Sequence, residues 1–410
     1  MILSVSSVST ASSRLRGNRT PAYDTSVTQL HPLVSKLPTA GISIFAIMTR
    51  TANDQGAINL SQGFPDFHCA PDLVETVARY MREGHNQYAP MPGVPQLREA
   101  LAMKIERLYG RRYDPGTEIT ITSGATEALF ATITALVHPG DEVLLFQPMY
   151  DSYVPAVQLN GGVPRFAALR GPDYSIDWDE VRRLVSRRTR VIMINSPHNP
   201  TAMMWTRDDI AQLTEVLQHT DAIVVADEVY EHITFDGNRH ESLARYPDIA
   251  KRAVVISSFG KTYHATGWKI GYCAAPAAIT AEIQQIHQWI VFAVNGAIQM
   301  AYADFVTRDP TCASVTAFYQ RKRDLFLELI RGSRFRPLTS RGTYFQIVDY
   351  SAITTERDAD FAMRLIREHK VAAIPLSPFM HETDPGTVLR FCFAKKDETL
   401  EAAAERLRRV

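Results

Sequence analysis

The residues from Val254 to Tyr272, VVISSFGKTYHATGWKIGY, hold the most reactive combination in the chain. A β-branched run, Val254, Val255 and Ile256, predicts a short buried strand. Ser257, Ser258, Phe259 and Gly260 follow, then Lys261; the small residues Ala265, Thr266 and Gly267 lead to a second cation, Lys269, and another short strand-like run. An amine just past a buried strand, hemmed by small residues, is poorly solvated, and desolvation disfavours its ammonium form. A neutral lysine amine condenses with an aldehyde to give a Schiff base. The plain alternative is a solvated lysine of the kind that often follows a strand. What separates the two is whether the rest of the chain supplies an anion site, a partner for a ring nitrogen and a partner for a phenolic oxygen.

In open α/β sheets, ligands bind beyond the carboxyl ends of the strands. After the predicted strand Ile119–Thr122 come Ser123, Gly124, Ala125 and Thr126, opening a helix whose free N–H groups and dipole favour an anion such as phosphate. Tyr150, in QPMYDSY after Val143–Phe146, is placed to stack on a flat ring or simply to pack. Asn199, in NSPHNP, precedes a proline that biases it to extended geometry; its amide meets a ligand oxygen or closes a turn. Asp227 follows Ile223–Ala226, and a carboxylate there is costly unless paired, with a pyridinium N–H or with a structural cation. Tyr230, three residues on, suits a phenolic oxygen. Ser258 and Lys269 would complete the phosphate site. Arg390 sits in the apolar stretch LRFCF and needs an anion: a bidentate substrate carboxylate, or a structural one. No one of these is decisive; as an ordered set they are the groups that pyridoxal phosphate requires.

These residues need a scaffold, and the chain has one. Its 410 residues, 45% hydrophobic and 21% charged, suit a water-exposed chain of roughly two to three domains. Lys+Arg and Asp+Glu are both 44, so no basic face for nucleic acid is expected. No apolar run approaches the roughly 18 residues of a membrane span. Cys69, Cys273, Cys312 and Cys392 are scattered, against structural zinc or a disulfide framework and for a reducing, cytoplasmic setting. Buried strands at Ile119–Thr122, Val143–Phe146, Val191–Asn195, Ile223–Ala226 and Val254–Ser257, separated by helical or polar segments, predict an α/β fold. Its mostly parallel central sheet is covered by helices on both faces. Beyond about Phe292 the pattern changes to a long helix over 313–331, strands at Tyr344–Val348 and Val388–Phe393, and helices over 358–369 and 398–410, a smaller α+β domain. The expected organisation is a disordered leader over 1–30, an N-terminal segment over 31–60 packing with the small domain, a large cofactor-binding domain over 61–295 and a small C-terminal domain over 296–410. The leader is Ser- and Arg-rich without acidic residues up to Tyr23, a composition shared with organellar transit peptides, though a disordered leader is the reading adopted.

The segments INLSQGFPDF, NQYAPMPGV, ITSGATEAL, GDEVLLFQPMYDSY, NSPHNP, DEVYEHI, SSFGKTYHATGWKIGYC, GTYFQIVDYS and LRFCFAKK carry a resemblance that runs from about His31 to Val410. The chain resembles the fold-type I, class I/II aminotransferases, in the branch that holds methionine aminotransferases and kynurenine/glutamine transaminases. The resemblance implies that Lys261 carries the cofactor and shuttles the proton, that Asp227 pairs with the pyridine nitrogen, and that Tyr230 and Asn199 contact the phenolic oxygen. It implies Tyr150 as the stacking ring and Gly124, Ala125, Thr126, Ser258 and Lys269 as the phosphate site. Many class I relatives have arginine where this chain has Lys269, which keeps the charge and loses the fork. Arg390, Asn199 and the Gly63 backbone are implied to hold the substrate carboxylate, and Tyr88 to reach the phosphate of a neighbouring subunit in a homodimer. The activity implied is transfer of an amino group from methionine, and from aromatic or other apolar amino acids, to a 2-oxo acid. Ile44, Phe64, Phe292 and Tyr344 are the expected pocket residues. The alternative is a kynurenine/glutamine transaminase with cysteine-conjugate β-lyase activity.

Overall fold

The structure, a computed structural model, describes residues 33–38, 41–381 and 384–410. The leader expected over 1–30 lies outside them. The described residues from Gly41 onward form one compact unit, and the stretch 33–38 holds a local bond from the Leu37 N–H to Ser35 Oγ.

An eight-stranded sheet organises the compact unit. From one edge to the other its strands are Ile119–Thr122, Gly271–Ala274, Ala253–Ser258, Ile223–Asp227, Thr189–Asn195, Glu142–Gln147, Val163–Arg170 and Ser175–Ile176. Gly271–Ala274 runs against both its neighbours and Ser175–Ile176 against Val163–Arg170; the other pairings are parallel. Side chains alternate between the two faces with period two. Thus Ile192, Ile194, Val224, Ala226 and Val255 enter one apolar cluster, and Val191, Met193, Val225, Val254 and Ile256 enter another. Both faces are covered, which is why these strands are apolar throughout rather than alternating. Every strand predicted for this sheet is present. Val163–Arg170 was not anticipated: it lies near the sheet edge, is partly exposed, and its sequence VPRFAALR mixes proline and arginine into the run.

The C-terminal part carries a four-stranded antiparallel sheet in the order Arg336–Pro337, Phe345–Asp349, Val388–Cys392, Ile374–Pro375. Ile58–Asn59 pairs in parallel with Val371–Ala372, and Met48 and Ala52 of the helix Ile44–Asp54 join a third apolar cluster with Tyr319, Phe326, Phe361 and Leu400. The helices Gly124–Leu136, Ala313–Leu329 and Asp397–Leu407 match their expected positions within a few residues, and the helices Pro71–Arg82 and Pro95–Tyr109 precede the first strand of the large sheet. No helix among the described residues is long and apolar enough to cross a membrane.

Candidate active site

A cavity of about 340 Å³ opens at the carboxyl ends of the parallel strands. Twelve of the predicted residues line it: Gly63, Gly124, Ala125, Thr126, Tyr150, Asn199, Asp227, Tyr230, Ser258, Lys261, Lys269 and Arg390. The placement follows from topology. Asp227 and Ser258 are the last residues of their strands, Lys261 is in the short helix Phe259–Thr262 immediately after, and Gly124 opens the helix after Ile119–Thr122. Tyr88 is elsewhere: it is exposed, edge-on to Phe292 at 5.3 Å between ring centroids.

Lys261 turns its amine inward, donating to Tyr344 Oη at 3.0 Å and to the Gly63 carbonyl at 3.4 Å. Burial lowers its pKa from 10.5 to about 8; the nearby Cys392 and Asp227 act in the opposite direction. Asp227 is 5% exposed. Burial raises its carboxyl from 3.8 to about 6, against the pull of the Tyr153 hydroxyl, which donates to Oδ2 at 2.6 Å, and of the Val229 N–H on Oδ1. The site thus holds an amine poised to lose its proton and a buried carboxylate that lacks a full cationic partner.

Arg390 is fully buried. It donates to Asn199 Oδ1 at 2.5 Å and to the Ser61 carbonyl at 3.2 Å, its Nε has no partner, and it lies 3.8 Å over the Phe345 ring. No carboxylate among the described residues pairs with it. A guanidinium buried against neutral acceptors is a receptor for an anion.

The remaining groups fit a phosphate. The helix Gly124–Leu136 begins without a side-chain cap, leaving N–H groups free at its positive end. Gly124 adopts φ +74°, and a Cβ there would stand 3.2 Å from Lys269 Nζ; at Gly271 a Cβ would stand 2.7 Å from the Ala125 nitrogen. Both glycines keep this cradle open for an anion beside Lys269. An anion cradle, an inward amine, a buried carboxylate and the Tyr150 ring together fit pyridoxal phosphate.

Two carboxylates turned away from the cavity hold the segment that carries Asp227 and Tyr230. Glu228 accepts from the Leu243 N–H and pairs with His240 at 2.8 Å. Glu231 accepts from Lys104 at 2.7 Å, Tyr109 at 2.6 Å and Ser257 at 2.9 Å. Lys104 and Glu231 are both buried, so Glu231→Ala strands a buried ammonium. It should cost about 3–5 kcal/mol, read from urea unfolding against the parent protein; a cost under about 1 kcal/mol would mean that the pair does not hold this segment.

Several site residues escaped the sequence reading. Tyr153 holds Asp227, and the second tyrosine of QPMYDSY, one helical turn past Tyr150, was its only signal. Asn195 accepts the Asn199 N–H at 2.7 Å and donates to the Asp227 carbonyl at 2.8 Å. Of the expected pocket residues, Phe64 lines the cavity and Tyr344 bonds Lys261, whereas Ile44 and Phe292 do not line it; Phe45, the next residue along the helix from Ile44, does.

Residues 55–407 match the family Aminotransferase class I and II. The chain is 50% identical to the methionine aminotransferase of Escherichia coli K12 over 93% of its own length and 99% of the relative's. It is 32% identical to human kynurenine–oxoglutarate transaminase 3, over 88% of this chain and 87% of that one. Among solved structures, an Escherichia coli protein described as having a methionine aminotransferase function superposes with a TM-score of 0.91 at 50% identity, covering 93% of this chain and all of that one. N-succinyldiaminopimelate aminotransferase from Mycobacterium tuberculosis superposes at 0.89, with 37% identity over 92% and 99%. The chain belongs to the class I and II aminotransferases, enzymes that depend on pyridoxal phosphate.

Proposed function

We propose that this enzyme is a cytoplasmic homodimer that moves the amino group of methionine, and of aromatic or other apolar amino acids, to a 2-oxo acid by a ping-pong route. The observation that carries the substrate reading is the cation inventory of the cavity: Lys261, Lys269 and Arg390 line it, and no second arginine among the described residues does. Arg390 with Asn199 takes the α-carboxylate, Lys269 serves the phosphate, and nothing remains to clamp a carboxylate at the far end of the substrate. Phe45, Phe64 and Phe345, which also line the cavity, suit an apolar side chain. The 50% identity to a methionine aminotransferase agrees.

Bound pyridoxal phosphate supplies the aldehyde that receives the amino group and a ring that takes up the electrons left when the α-proton departs. The chain's own residues do the rest. Lys261 would carry the cofactor, and its amine, once free and uncharged, would remove the α-proton and return it at the carbon that was the aldehyde. Asp227, held by Tyr153, would keep a proton on the ring nitrogen. Tyr230 and Asn199 would meet the phenolic oxygen, Tyr150 would cover the ring, and the Gly124–Thr126 turn with Ser258 and Lys269 would take the phosphate. Tyr88, exposed in one chain, would reach the phosphate bound by a second copy.

A panel of amino donors with one 2-oxo acceptor tests the reading. Methionine should exceed aspartate in kcat/KM by at least about a hundredfold, the scale set by leaving a distal carboxylate without a partner. Turnover of aspartate above methionine would reject it. Pyruvate and ammonia from a cysteine conjugate, without any acceptor, would favour the lyase alternative.

A further inference from the structure

We infer that Tyr344 is the positioning residue for Lys261: its hydroxyl, fixed on the Gly63 carbonyl, receives the ε-ammonium and holds it between removal and return of the substrate α-proton. This rests on the proposed role of Lys261 as the proton carrier.

The Tyr344 ring is fully buried and locked by other rings. Tyr230 stands edge-on at 5.1 Å, Phe345 at 4.9 Å, and Tyr319 is tilted at 5.6 Å. Its hydroxyl donates to the Gly63 carbonyl at 2.5 Å. A tyrosine hydroxyl has one hydrogen. With that hydrogen given to Gly63, the oxygen faces Lys261 as an acceptor, and the 3.0 Å contact is a bond from the lysine. The Gly63 carbonyl accepts from the same amine at 3.4 Å. Two neutral acceptors, one from the loop after Ile58–Asn59 and one just before the strand Phe345–Asp349, therefore converge on a single nitrogen.

That arrangement suits an amine that must change charge. An ammonium has three hydrogens; two go to Tyr344 and Gly63, and the third is left for the cavity. When the substrate C–H bond breaks, its proton forms the new N–H bond on Lys261 and the electron pair stays with the substrate side. Delivery of that proton to the carbon that was the aldehyde restores the free amine, so the count of protons closes. A carboxylate in the same place would hold the proton too firmly; acceptors without charge offset burial only in part, consistent with an amine lowered to about 8. The tyrosine thus gives the lysine a defined station that needs no residue from a second subunit.

Tyr344→Phe removes the hydroxyl and keeps the ring. Tyr319→Phe is the control, because the Tyr319 hydroxyl is buried without a partner. The first measurement uses the full chain stripped of cofactor: the pH dependence of Lys261 modification by trinitrobenzenesulfonate, read by peptide mass. Loss of an acceptor for the charged form should move the midpoint down by roughly half to one pH unit in Tyr344→Phe and not in the control. The second uses the holoenzyme, where Tyr344→Phe should lower kcat about ten- to a hundredfold with KM within about twofold. An unmoved midpoint overturns the inference even if kcat falls, since a packing defect alone gives that result. A raised KM with kcat unchanged overturns it in favour of a substrate contact. If the parent enzyme fails to transfer an amino group, the proposed function fails, while the modification measurement still decides whether Tyr344 holds the lysine.

Discussion

Lys261→Ala should lower turnover by on the order of 10⁴-fold or more, because it removes both the covalent anchor and the proton carrier. The loss should be chemical rather than structural. Among the described residues the Lys261 amine bonds only to Tyr344 and Gly63, and burial works against its charge, so removing it relieves a cost of folding. The variant should melt no lower than the parent when both lack cofactor. Measured kcat and melting temperature check the two halves separately. Turnover within about tenfold of the parent enzyme would show that another group does the proton transfer.

Asp227→Asn should lower kcat by about 10²–10⁴-fold, since the amide no longer holds a proton on the ring nitrogen. Its effect on the protein without cofactor should have the opposite sign. The folded carboxyl titrates near 6, above its value of 3.8 outside the fold, so the folded state binds more protons through that window. Stability contributed by this group is therefore present below about pH 4, lost as pH rises to 6, and stays lost above it. A shift of this size costs on the order of 2–3 kcal/mol at neutral pH. Asparagine escapes that cost, keeps an acceptor oxygen for the Val229 N–H and offers its amide N–H to the Tyr153 oxygen in a reversed bond. At pH 7.5 the variant without cofactor should be at least as stable as the parent in urea unfolding. A variant both active and less stable would mean that Asp227 is a structural ion-pair member.

The residues at strand ends were legible because their types conflict with their surroundings. A lysine after VVISS, an aspartate after IVVA and an arginine inside LRFCF each demand a partner that an apolar neighbourhood does not contain. The parallel sheet was legible for the related reason that strands buried on both faces are apolar throughout. What was hidden depends on distance in the chain. Nothing near Glu231 in sequence points to Lys104, 127 residues earlier, and nothing near Lys261 points to Tyr344, 83 residues later. Phe45 rather than Ile44 faces the cavity because one residue on a helix turns the side chain by about 100°, and no local pattern fixes that phase. The strand Val163–Arg170, next to the sheet edge, was hidden because half-exposed residues relax the apolar requirement.

One buried amine, that of Lys261, should carry the cofactor beside Asp227. Borohydride reduction of the pyridoxal phosphate-loaded protein, followed by digestion and peptide mass mapping, tests it most directly. The added mass should fall on the peptide containing Lys261 and be absent from the Lys269 peptide. Label on Lys269 or on any other lysine, with Lys261 unmodified, would contradict it.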